Sequence, residues 1–191
     1  FAIGQDLSDL VVNDLTVNGT ATLNGPLQAL GTIKLDGNYP TGTDNVALGN
    51  EALDSGSLSG GNNTAIGDNA LSANTSGANN TAIGQAALCT NLTGGSNVAV
   101  GRCALKLNTA SNNVAVGYHS MCTTSSGTEN TAIGMSSLKS NTTADQNTAL
   151  GNQTLCKNTT GANNTAVGSC SLEANTTGSN NVAAGKCALC S

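Results

Sequence analysis

"NNTAIG" occupies residues 62–67 and returns at 79–84, and "NNTAVG" stands at 163–168. Aligned on the closing glycine, the motif occurs nine times, at Gly49, Gly67, Gly84, Gly101, Gly117, Gly134, Gly151, Gly168 and Gly185. The spacing is 17 residues, with one interval of 18 and one of 16. With the glycine as slot zero, slot minus two is Ala in every copy, as at Ala65, Ala82 and Ala99. Slot four is Leu, as at Leu71, Leu88 and Leu105, or once Met121. Slot three is always Ala, Ser or Thr, and turn-forming runs such as "NTSGAN", "NLTGGS" and "NTTGSN" separate the copies. A fixed short period is the mark of a solenoid and outranks any local reading.

Alternation gives each copy its strand. In "NVAVG" and "NTAIG" the residues flanking Ala point to one side and Ala to the other. The expectation is that the bulkier side fills the coil and the Ala side allows another backbone to approach closely. The glycine permits a bend that a Cβ would hinder. Seventeen extended residues would run roughly 56 Å, so a compact coil turns at least twice. Nine coils stacked at about 4.8 Å make a rod of roughly 43 Å. The "ALSANT" segments are too short to sustain helices. The fold class expected is therefore all-β, a parallel β-solenoid or β-roll over residues 45–191.

Residues 1–44 follow another beat. Gly19, Gly25, Gly31 and Gly37 recur every six residues. "TATLNG" and "TIKLDG" read as very short strands ended by Asn-Gly or Asp-Gly turns. The boundary between the two regimes is expected near "NYPTGTD", residues 38–44.

Composition agrees with a thin, layered interior. Charged residues are 9% and aromatics 2%, against about 25% charged in an average soluble domain. Six basic and eleven acidic residues leave a net charge of -5, which offers no extended basic surface for nucleic acid. No run of about 18 apolar residues suggests a membrane span. The chain opens on Phe rather than Met, as a processed product or a piece of a longer protein would. Seven cysteines in a weakly cored chain point to an oxidising, extracellular setting.

"LTVNGTATLNG" (15–25) followed by tandem "NTAIGxxALxxNTTG" units resembles the fibre and spike proteins of bacteriophages and large viruses. That resemblance runs over nearly the whole chain. Over residues 45–191 the "NTAIG" and "NVAVG" cores are also similar to the head repeats of trimeric autotransporter (YadA-like) adhesins, whose period is shorter. Both resemblances imply a homotrimeric rod on a virion or cell surface, with reach, rigidity and attachment as its work. The implied partners are further copies of the chain, side by side or end to end, and a host receptor or surface glycan.

The cysteines occupy two slots: slot two (Cys103, Cys170, Cys187) and slot five (Cys89, Cys122, Cys156, Cys190). Cys89 with Cys103, and Cys156 with Cys170, stand in one relation, slot five of a coil to slot two of the next. Cys170 with Cys187 is a competing pair, and "CALC" at 187–190 is a Cys-x-x-Cys without a second pair or His cluster, a weak zinc or redox signal. Structural disulfides are the expectation, with one thiol left over from seven in a symmetric trimer. His119, the sole histidine, sits in slot two and reads as an ordinary surface residue. No Ser-His-Asp set, carboxylate pair or phosphate loop is recognisable, so the chain is read as non-enzymatic and without a cofactor. Sequons at Asn62, Asn79, Asn141, Asn163 and Asn175, among others, are candidate glycosylation sites. Asn in a turn needs no sugar to explain it, and stacked Asn can form amide ladders.

Three readings remain. The first is the shaft of a viral or phage tail fibre or spike supporting host attachment. The second is a bacterial or cell-surface trimeric adhesin or an extracellular matrix filament. The third is a monomeric ice-binding solenoid with a Thr array in slot minus three. Thr64, Thr81, Thr131, Thr148 and Thr165 fill that slot, and Val the other four copies.

Overall fold

A computed structural model describes residues 43–190. Of the six-residue-period segment, all but residues 43 and 44 lies outside the described residues. Nine strands follow in order: β1 Val46–Leu48, β2 Thr64–Ile66, β3 Thr81–Ile83, β4 Val98–Val100, β5 Val114–Val116, β6 Thr131–Ile133, β7 Thr148–Leu150, β8 Thr165–Val167 and β9 Val182–Ala184. They form one parallel sheet in sequence order. Each Ala pairs with the Ala of the next strand, from Ala47 on Ala65 to Ala166 on Ala183. The described residues contain no helix. One coil of the solenoid therefore carries one three-residue strand and is turn for the rest.

The coil is held around its whole circumference. Beyond the strand, the N–H of slot four donates to the slot-three carbonyl of the next coil, as Leu71 to Ala87 at 3.0 Å and Leu88 to Ala104 at 3.1 Å. Slot two donates back to slot one of the preceding coil, as Cys103 to Gln85 at 2.9 Å. Turns thus satisfy their backbone groups in the rod direction, which lets a chain with so little strand remain ordered.

Two consecutive turns follow each strand. Slot three donates to the slot-zero carbonyl, as Ala70 to Gly67 at 3.2 Å, and slot seven to slot four, as Asn74 to Leu71 at 3.1 Å. Slots two, four and minus five all hold φ near +55° in every coil, for instance Asn69 at 57°, Leu71 at 51° and Asn79 at 61°. No Val, Ile or Thr occupies any of them, because a branched Cβ is a steric outlier in the left-handed region. The repeat glycines take a wider angle, 137° at Gly117 and 136° at Gly134. They also stack, and a methyl group built on Gly117 would lie 2.5 Å from the Gly134 carbonyl oxygen. Angle and clearance both demand glycine.

The sidedness expected of the strand is reversed. Ala65, Ala82, Ala99, Ala115, Ala132, Ala149 and Ala166 are all 0% exposed and line the interior, while the bulkier flanking residues face outward and are half-buried or exposed. The bulky side does not fill the coil, and the Ala side is not available to another chain. Ala shares one core with the slot-four column, Leu53, Leu71, Leu88, Leu105, Met121, Leu138 and Leu155, each 1% exposed or less. With a Leu reaching in from the opposite wall, the strand has room for only a methyl group.

Candidate functional site

The rest of the interior is amide. Asn in slot minus four forms a buried column from Asn45 through Asn164 that continues to half-buried Asn181. Along it the N–H of Asn80 donates to Asn63 Oδ1 at 2.9 Å, that of Asn97 to Asn80 Oδ1 at 3.0 Å, and that of Asn164 to Asn147 Oδ1 at 2.9 Å. From Asn45 through Asn164 each Nδ2 donates to a turn carbonyl, as Asn80 to Gly94 and Asn147 to Gly161, both at 2.9 Å. A second column in slot seven, Asn74, Asn91, Asn108, Asn141, Asn158 and Asn175, holds turn carbonyls of its own coil in the same way. Thr124 interrupts it, and its buried Oγ1 has no hydrogen-bond partner, nor has Asn91 Oδ1. Both defects adjoin the 16-residue coil, Gly101 to Gly117.

The sequons separate by this geometry. Asn62, Asn79 and Asn163 are exposed, at left-handed φ. Asn175 is half-buried and donates to Asn158 Oδ1 at 2.8 Å. Asn141 is 0% exposed with its Nδ2 committed to the Ala144 carbonyl, so the folded coil has no room for a glycan there.

All seven cysteines are free thiols. Cys103 is buried; Cys89, Cys122, Cys156 and Cys170 are half-buried; Cys187 and Cys190 are exposed. Neither Cys89 with Cys103 nor Cys156 with Cys170 is bonded, and Cys170 with Cys187 and the Cys187–Cys190 pair are likewise open. Slot five alternates Cys with charge, as Cys89, Lys106, Cys122, Lys139, Cys156 and Glu173, so thiols in that column stand two rungs, about 9.6 Å, apart. That is too far to bond. Burial, first, pushes the thiols of Cys89, Cys122 and Cys156 above the ordinary range, against the pull of nearby lysines. Among the described residues no group of three or more His, Cys, Asp or Glu can hold a metal ion, and no helix is long and apolar enough to cross a membrane.

One surface cluster departs from the neutral, small-residue pattern, around slots one, two and five of the coils at Gly101, Gly117 and Gly134. Arg102 Nε donates to Gln85 Oε1 at 2.9 Å and Nη1 to the Tyr118 hydroxyl at 3.3 Å, with the guanidinium 5.8 Å from the ring centroid. The Tyr118 and His119 rings stack at 4.0 Å and 14°. Burial, then the charges of Lys139, Arg102 and Lys106, hold the His119 imidazole below the usual histidine range. Gln85 also donates to Asp68 Oδ2 at 3.4 Å, and hydrogen bonds from Asn50, Asn69 and Gln85 hold that carboxyl low. Reading slot by slot passes over this cluster, because its members lie in different slots of three coils.

The chain matches no family model, no curated protein and no solved structure.

Proposed function

We propose that this chain is a passive, non-enzymatic shaft on a virion or cell surface, a fibre or spike stem that supports attachment to a host. The observation that carries the reading is the unbroken in-register stack of strand, Asn and glycine columns over nine coils. Such a stack resists bending because every coil is bonded to the next around its circumference. Its outward strand face carries Ile83, Ile133 and Val167, each about two-fifths exposed. In a homotrimer three such faces would meet, so side-by-side assembly runs through the branched residues rather than through Ala. The test is native mass by light scattering, with and without reductant. Three times the 18.7 kDa chain mass in both conditions supports the shaft, and a monomer in both overturns the trimer.

A second reading has one specific observation behind it. The outward position of slot minus three places Thr64, Thr81, Thr131, Thr148 and Thr165 in one surface column with four Val, as an ice-binding face requires. Thermal hysteresis from a monomeric protein would favour it; a trimer without hysteresis would dismiss it.

A further inference from the structure

The described residues contain one aromatic residue, one histidine and five basic residues. Tyr118, His119 and three of the five, Arg102, Lys106 and Lys139, come together across three neighbouring coils. None of the three cations forms an ion pair among the described residues, where the salt bridge is Lys157 to Glu173 at 3.9 Å, away from the cluster. In a chain of net charge -5, this is a local excess of unneutralised positive charge beside an exposed ring. Arg102 spends two of its five N–H donors, on Gln85 and Tyr118, and keeps three for a further acceptor.

A second observation falls in the same stretch of coils. The coil from Gly101 to Gly117 is one residue short of the common period, and the two unpartnered atoms of the Asn column, Asn91 Oδ1 and Thr124 Oγ1, lie on either side of it. The other irregular coil, from Gly49 to Gly67, is the first of the series. Departures from an otherwise consistent repeat are expected where something other than stability is being served.

We propose that Arg102, Tyr118, His119, Lys106 and Lys139 form a binding site for an acidic saccharide, whose ring packs against the Tyr118–His119 pair while the cations receive its carboxylate or sulfate. Extent selects the occupant. Three coils span roughly 10 Å along the rod, enough for one or two sugar rings. A nucleic acid needs a longer run of phosphate contacts and would meet the acidic remainder of the surface. The aromatic pair offers an apolar face to sugar C–H groups, and Arg102 offers paired donors to a planar carboxylate. The site rests on the solenoid alone and stands whether or not three chains associate.

Linkage gives the site a signature. His119 is faced by Arg102, Lys106 and Lys139, stacks on Tyr118, and has Cys103 and Ser136 in its own slot on the coils either side. Its depressed titration reflects burial and those positive charges. An anion bound among them offsets the charges, raises the histidine's titration point, and by reciprocity binds more tightly as pH falls through the histidine range.

The experiment uses the full chain, titrated by nuclear magnetic resonance with sialyllactose, sulfated lactose and plain lactose. Expected are saturable shifts at Tyr118 and His119 with at least one acidic probe, weakening as salt rises, and an upward move of the His119 titration at saturation. Arg102→Gln and Tyr118→Ala should each weaken binding roughly tenfold or more, with unchanged circular dichroism and melting, since both side chains point to solvent. Lys139→Gln is the second variant should either fail to fold. Equal binding of plain lactose, no shift with either acidic probe, unchanged binding in the folded variants, or binding of a short DNA oligonucleotide in place of the saccharides would each overturn the proposal.

Discussion

Leu138 has φ of 47° and is 0% exposed, and these two facts together decide what the position tolerates. An apolar side chain is required by the core, which gains about 1.5–3 kcal/mol from burying it. A branched Cβ is forbidden by the backbone. The column accepts Leu eight times and Met once, at Met121; both are unbranched at Cβ. Leu138→Met should therefore cost less than about 1.5 kcal/mol. Leu138→Ile, equal in volume and hydrophobicity, should cost about 2–4 kcal/mol through the left-handed strain added to repacking. Chemical denaturation of the two variants measures the difference, and equal losses would show that volume alone governs the slot.

At the scale of one coil, the amide columns take the place that large side chains hold in a globular core. Asn147 accepts from Asn164 N–H at 2.9 Å and from its Nδ2 at 3.1 Å, and donates to the Gly161 carbonyl. Asn147→Asp keeps shape and acceptors but loses the donor and buries a charge. A loss of about 3 kcal/mol or more follows. The converse change is Thr124→Asn, which supplies a buried slot now ending in an unpartnered hydroxyl with the amide that holds the turn carbonyl in coils such as Asn141 to Ala144. A gain of about 0.5–1.5 kcal/mol is expected, read as a rise in melting temperature; a fall would mean that the coil following the short one cannot seat the amide. The period, the parallel stack and its phase with the Ala-x-Gly triplet were all legible in the sequence. The inward side of the strand was not. Alternation around Ala65 defines two faces without saying which is inside, and the answer depended on how much of the interior Leu71 and Asn63 already occupy. The Arg102–Tyr118 contact was equally hidden, since it joins slot one of two coils whose proximity only the stack provides.

The thiols act at the same scale through protonation. Cys89, Cys122 and Cys156 titrate above the ordinary thiol value in the folded chain because burial disfavours the thiolate. The folded state therefore holds its protons more firmly than the unfolded state. That contribution is fully present below the unfolded thiol value and is lost as pH rises through the folded values. Stability should fall above roughly pH 8.5, and the triple change Cys89→Ser, Cys122→Ser, Cys156→Ser should flatten that alkaline limb. Melting curves across pH test this, and an unchanged limb would place the titrating groups elsewhere.

For the whole described stack, each strand touches only its neighbours, so stability is a sum over adjacent coils rather than a property of one centre. The slot-four column makes this visible: Leu155 is 0% exposed, Leu172 5%, and Leu189, on the last described coil, 59%. Each Leu is covered by the coil that follows it. A whole repeat is then removable and a partial one is not. Deleting Met135 to Gly151 joins Gly134 to Asn152 with slots in phase, brings Asn164 onto Asn130 and Ala166 onto Ala132, and subtracts one interface. The shortened chain should keep its β signature and cooperative melting, with a modest fall in stability. Deleting only Met135 to Thr142 removes slots one to eight of one coil, Leu138 and Asn141 among them, so that coil cannot stack in phase on its neighbours and buried amides are stranded at the junction. That variant should become protease-sensitive at the break, where the continuous stack is interrupted. Circular dichroism with limited proteolysis compares the two, and if both deletions unfold alike, the coils are bound by longer-range contacts than adjacent stacking supplies.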